Sequence, residues 1–106
     1  MQIENIKTIT ELSQLDGRVY VHLLTETLAV QFMRQAEEEG FSFADGVKPT
    51  KRTAATIMAV NPNHTINYIG AVGHIAFGAG AKTIGGRQLF RMSYLGNHIA
   101  SYEGIA

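Results

Sequence analysis

The sequence of 106 residues contains no cysteine. Disulfides and thiolate-held metals are therefore excluded, and a reducing, cytoplasmic location is expected. Net charge is also absent: nine Lys and Arg balance nine Asp and Glu. A protein that grips a long nucleic acid draws its affinity from many neutralised phosphates, so no partner of that kind is expected. The same balance does not suit an acidic mimic of nucleic acid. The most apolar stretch, residues 71–81, is interrupted by His74 and is too short to span a bilayer. Met1-Gln2-Ile3-Glu4 lacks the basic start and apolar core of a secretory leader. The expectation is a single domain over residues 1–106 without a membrane partner, large enough to bury one core.

Catalytic patterns are missing too. His22, His64, His74 and His98 show no metal-ligand spacing, so no metal or cofactor is expected. Ser13, Ser42, Ser93 and Ser101 sit in no nucleophile-elbow context. No pair of carboxylates lies in an apolar setting that would separate their pKa values. These readings predict a protein that is not an enzyme.

The patterning that remains points to an α+β fold. Thr8–Asp16 spaces Ile9, Leu12 and Leu15 by three and suggests a short helix turning at Asp16-Gly17. Residues 19–24 alternate Val19, Val21 and Leu23 with Tyr20, His22 and Leu24, as a strand requires. A helix follows, capped by Thr25 or Thr27, with Leu28, Ala29, Phe32, Met33 and Ala36 on one face and Gly40 as its stop. Glu37, Glu38 and Glu39 crowd its C-terminal end, where the helix dipole disfavours anions. Phe41-Ser42-Phe43 reads as a short strand with both rings on one face. Residues 53–69 read as a β-hairpin around Asn61-Pro62-Asn63-His64. Residues 87–94 return to strand, and the tail suggests one helical turn around residues 97–100. The expected architecture is a mostly antiparallel sheet with one principal helix packed on a face.

Six of the eleven glycines fall in residues 70–86. That density suits either a flexible connection or a backbone closely approached by a ligand or another subunit. Gly78-Ala-Gly80-Ala81-Lys82-Thr83 superficially resembles a phosphate loop, but Ala81 stands where the second glycine belongs. An anion-binding nest of backbone N–H groups beside Lys82 is the weaker form of the same idea.

Charge is split along the chain. Residues 1–45 carry three bases against eight acids, and residues 46–106 carry six bases against one acid. Arg87 and Arg91 share one face of a strand, about 13 Å apart at the usual rise. Guanidinium groups match phosphate oxygens bidentately, and Tyr68, Phe77, Phe90 and Tyr94 are interleaved with the bases. Asn67 and Asn97 suit the edges of a base or ribose. The candidate ligand-binding residues are Arg52, Asn67, Phe77, Lys82, Arg87 and Arg91, and the ligand they suit is a compact phosphorylated nucleotide. Equally, Phe77, Phe90 and Tyr94 suit core positions and the arginines a solvated sheet face.

Three segments carry a resemblance. Gly17-Arg-Val-Tyr-Val-His22 with Ala29-Val-Gln-Phe-Met33, then Glu38-Glu-Gly-Phe-Ser-Phe-Ala-Asp-Gly46, resemble the opening of phage Thoeris anti-defence sponge proteins. Asn63-His-Thr-Ile-Asn-Tyr68 resembles their middle hairpin. The motifs are short and together cover about half of the chain. The resemblance implies a small α+β homo-oligomer, a dimer or larger, without catalytic activity. It implies sequestration of cyclic nucleotide immune signals, such as cyclic ADP-ribose isomers or cyclic oligonucleotides, which blocks host anti-phage defence in the cytoplasm. It implies arginines on phosphates, here Arg52, Arg87 or Arg91, with Phe77 stacking on adenine and Asn67 as a polar reader. The alternative is an inhibitor of a host defence complex that binds a basic protein partner through Glu37–Glu39.

Overall fold

The computed structural model describes residues 6–15, 17–94 and 100–105; within helix 71–78 only the backbone is described for residues 71–73. Among the described residues, three helices and seven strands occur in the order α1 (Ile9–Ser13), β1 (Val19–His22), α2 (Glu26–Glu38), β2 (Ser42–Phe43), β3 (Ile57–Val60), β4 (Thr65–Tyr68), α3 (Ala71–Gly78), β5 (Thr83–Ile84), β6 (Arg87–Tyr94) and β7 (Ala100–Gly104). A short 3₁₀ turn, Pro49–Lys51, separates β2 from β3. The sheet runs β2-β4-β3-β1-β6, and both β5 and β7 pair with the far side of β6. Four of its pairings are antiparallel, whereas β1–β6 and β2–β4 are parallel. The α+β class and the mostly antiparallel sheet stand, with a parallel centre that periodicity cannot reveal.

Strand β1 is four residues long, not six. Its alternation places Val19 and Val21 in the main core while Tyr20 and His22 are half-buried on the other face. Leu23 still donates its N–H to Thr56 at 2.7 Å, but Thr25 then adopts an extended conformation and caps α2, its hydroxyl accepting from the Leu28 N–H. Phe32, Met33 and Ala36 of α2 enter the core with Ile9 and Leu12 of α1, Met58, Val60, Ile66, Phe90, Met92 and Tyr102. Burial of one such large side chain is worth roughly 1.5–3 kcal/mol.

The C-terminal end of α2 is resolved by backbone geometry. Gly40 takes φ +84°, its N–H reaches the Glu37 carbonyl at 3.1 Å, and the Phe41 N–H reaches the Ala36 carbonyl at 2.9 Å. The three glutamates are not one solvated run. Glu39 reaches α1: its carboxylate accepts from the N–H groups of Ile9 (3.2 Å) and Thr10 (2.7 Å) and from the Thr10 hydroxyl (2.7 Å). Glu37 accepts from the Thr50 N–H and hydroxyl at 3.1 and 2.6 Å. These bonds, with Lys48 and Lys51 nearby, hold the Glu37 carboxyl below its usual pKa. Only Glu38 is fully exposed.

The glycine-rich stretch is not a loose connection. Residues 71–78 are helical. Gly80, at φ +91°, ends α3 with Gly80 N–H bonded to Phe77 O and Ala81 N–H bonded to Ala76 O. Gly85 and Gly86, at φ +56° and +77°, form the two-residue turn of the β5–β6 hairpin. A Cβ added at Gly78, Gly80, Gly85 or Gly86 would meet nothing within 4 Å. Positive φ calls for glycine at Gly80, Gly85 and Gly86. The expected helical turn at 97–100 is corrected at its end, because the chain from Ala100 is strand β7; residues 95–99, Asn97 and His98 included, lie outside the described residues.

Candidate functional site

The second face of the sheet, away from α1 and α2, collects most of the candidate residues. Register fixes its rows. Asn67 pairs with Ala59, Ala59 with Tyr20, and Tyr20 with Leu89. The next row runs Ile57, His22, Arg91 and Glu103. Ile57, Ile84 and Leu89 form a small buried cluster on this face, against which Tyr20, Ile69, Phe77 and Ile105 pack. The Phe77 ring of α3 lies 4.3 Å from the His22 ring. Burial, with the Arg91 charge beside it, lowers the His22 pKa from its ordinary value.

Arg91 is exposed, and no ion pair joins it to Glu103 across the register among the described residues. Arg87 is exposed at the other end of β6 and lies over Gly17: a Cβ there would stand 2.6 Å from its Nη1. Arg18 joins Arg87 around a small cleft of about 190 Å³ with Leu15 and Gly86, and its Nε donates to Asn61 Oδ1 at 2.6 Å. The face therefore has a cationic group of Arg18 and Arg87 at one end and Arg91 at the other, with half-buried Tyr20 between them. Arg18, Tyr20 and His22 escaped the sequence reading. The outward parity of β1 identifies them, but only once β1 is known to lie beside β6.

Other candidates go elsewhere. Arg52 lies on the helix-packed side, paired with Asp45 at 2.6 Å and stacked 4.6 Å over the Phe43 ring. That pairing, with the Val47 N–H, holds the Asp45 carboxyl below its usual pKa. Asn67 shares the face, but both ends of its amide are engaged: Oδ1 accepts from Asn61 at 2.7 Å and Nδ2 donates to Tyr68 O at 2.8 Å. Lys82 is exposed on the link from α3 to β5. The expected nest beside it does not form, because the N–H groups of Ala79, Gly80 and Ala81 all close the end of α3. Phe90 is fully buried in the main core, and Tyr94 packs half-buried against it. Tyr68 is 43% exposed and donates its hydroxyl to Thr53 O at 2.8 Å.

Among the described residues, no group of three or more His, Asp or Glu side chains is placed to hold a metal ion, and no helix is long and apolar enough to cross a membrane. No protein family, curated protein or solved structure matches this chain.

Proposed function

We propose that this chain is a non-catalytic sponge for a compact cyclic nucleotide, bound on the sheet face over Tyr20 and withheld from a host defence effector. The observation that carries the reading is the arrangement of Arg18 and Arg87 at one end of a half-apolar face and Arg91 at the other. Two cationic ends about 13 Å apart suit the phosphates of a ligand whose base lies on the intervening ring. Tyr20, backed by Leu89 and Ala59, offers that platform, and Phe77 borders it beside His22. Stacking of one base on an aromatic side chain contributes roughly 1–3 kcal/mol. The strands fix these positions before ligand arrives, so little ordering entropy opposes binding. Self-association into a dimer or larger assembly belongs to the same reading; Ile75 of α3, 71% exposed, offers an apolar contact.

Calorimetric titration against cyclic ADP-ribose isomers and cyclic di- and trinucleotides tests the proposal. At least one should bind and be recovered chemically intact after the protein is denatured. Arg91→Ala should weaken binding roughly 10-fold or more, the loss of one charge-assisted contact, without lowering Tm. Altered ligand after recovery would make the protein an enzyme, and no binding across the panel would remove the basis of the reading.

A further inference from the structure

A second cleft lies on the opposite side of the sheet, where no residue of the Tyr20 face reaches. It measures about 730 Å³ and runs between the first turns of α2 and the segment 50–56 that leads into β3. That volume falls in the range of small-ligand sites. Its α2 wall is the stripe Glu26, Ala29, Val30, Met33 and Arg34, which recurs at helical spacing. Ala54 and Ala55 face it. Ala29, Ala54 and Ala55 keep the groove open, and Leu24 and Val30, which add apolar lining, are 69% and 46% exposed.

Polar groups line the cleft as well, among them Thr25, Thr50, Thr53 and Thr56. Glu26 and Arg34 stand at opposite ends of the stripe, eight residues and about 12 Å apart along the axis. Both are exposed, and neither has a hydrogen bond or ion pair among the described residues. The other charged side chain of the lining, Arg52, is held by Asp45. Ala54 is half-buried in the facing wall, and neither its N–H nor its C=O is hydrogen-bonded among the described residues.

We infer that this cleft binds a short zwitterionic peptide of three or four small apolar residues, its ammonium at Glu26, its carboxylate at Arg34 and its backbone against Ala54. An extended chain rises about 3.3 Å per residue, so three or four residues span the 12 Å between the charges. The apolar stripe accepts small side chains, and the unpaired amide of Ala54 supplies the main-chain contact by which extended peptides are commonly held. Direction is fixed, because reversal places like charges together at both ends. This site is independent of the nucleotide reading.

The test is calorimetric titration of the full chain with the tetrapeptide Ala-Val-Ala-Ala, with its ends free, N-acetylated or C-amidated. The free peptide should bind, and each cap should weaken it up to about fivefold, the range of an exposed ion pair. Arg34→Gln should weaken the free peptide and abolish the effect of amidation while preserving that of acetylation. Glu26→Gln should do the converse. Neither variant should change Tm or cyclic nucleotide binding on the other face. Equal binding of free and doubly capped peptide, full cap dependence in both variants, or no binding at millimolar peptide would each overturn the inference. Displacement of the peptide by cyclic ADP-ribose would also overturn it, since the cleft would then belong to the nucleotide.

Discussion

Replacement of Glu39 by alanine should destabilise the protein far more than replacement of its neighbour Glu38. Glu39 stands at the dipole-disfavoured end of α2, so removal of its charge there should gain a few tenths of a kcal/mol. Against that stand two backbone N–H bonds at the start of α1, the Thr10 hydroxyl at 2.7 Å, and Gln35 Nε2, which donates to Glu39 at 2.8 Å. Gln35 also donates to the Lys7 carbonyl at 2.9 Å and accepts from the buried Tyr102 hydroxyl at 2.6 Å. The carboxylate thus ties α1, α2 and β7 together. A charge-assisted hydrogen bond contributes about 1.5–3 kcal/mol net. The site is half-buried, so water replaces part of what is lost. Glu39→Ala should therefore cost about 2–3 kcal/mol, and Glu39→Gln, which keeps one acceptor oxygen, about 1–2 kcal/mol. For a domain of this size the alanine change corresponds to a fall in Tm of roughly 10–15 °C. Urea unfolding with an unchanged m-value measures it. A loss under about 0.5 kcal/mol, or an equal loss in Glu38→Ala, would refute the argument that Glu39 joins the helices.

Tyr102→Phe should cost about 1 kcal/mol by urea unfolding, the net worth of its bond to Gln35; burial, with Glu39 nearby, pushes the Tyr102 pKa well above the usual tyrosine range, so no tyrosinate absorbance from this residue should appear before alkaline unfolding. Gly86→Ala should cost about 1–2 kcal/mol, because φ is +77° there, whereas Gly85→Asn should be tolerated in the same melting assay. His22 has a folded pKa below its ordinary value, so the unfolded chain takes up the proton first on acidification. Stability should therefore fall as pH drops from about 6.5 toward the folded pKa, and His22→Gln should flatten that slope in pH-dependent melts.

Local chemistry was legible where one residue decides one event. A threonine cap at 25 or 27, resolved as Thr25, Gly40 as stop and the hairpin around residues 61–64 follow from short-range requirements. The glycine-rich stretch was misread because glycine count says nothing of order. Gly80 ends a helix and Gly85-Gly86 closes a hairpin, while His74 to Phe77, ahead of both, lie in that helix. The glutamate triplet was legible only in part, for a different reason. Helix dipole arguments concern one helix, and the partners of Glu37 and Glu39 lie on Thr50 and on α1, 13 and 29–30 residues away. The candidate site was half legible. Parity placed Arg87 and Arg91 together, but their companions Arg18, Tyr20 and His22 depend on the parallel pairing of β1 with β6, which local patterning does not encode.

The charge split of the sequence takes a spatial form that bears on the ligand. Five of the eight acids of the first half stand on α1, on α2 or at the C-cap of α2, and two of them, Glu37 and Glu39, are spent on Thr50 and on the start of α1. Arg87 and Arg91 of the second half stand on the opposite face of the sheet, where Glu103 is the one carboxylate in their register rows. The halves therefore cancel only in part: Arg52 pairs with Asp45 and Lys48 and Lys51 lie near Glu37, while Arg87 and Arg91 stand on the other face. Asp45–Arg52 is the one ion pair among the described residues that joins them. Zero net charge still leaves local fields: the Tyr20 face carries Arg18, Arg87 and Arg91 against Glu103, whereas acids and bases mix on the helix side. The local field favours an anion approaching the Tyr20 face. A long polyanion gains little from a patch of three guanidinium groups, because its affinity grows with the number of phosphates neutralised. A ligand with two or three phosphates needs no more than such a patch, and the neutral total that excludes the first partner is compatible with the second.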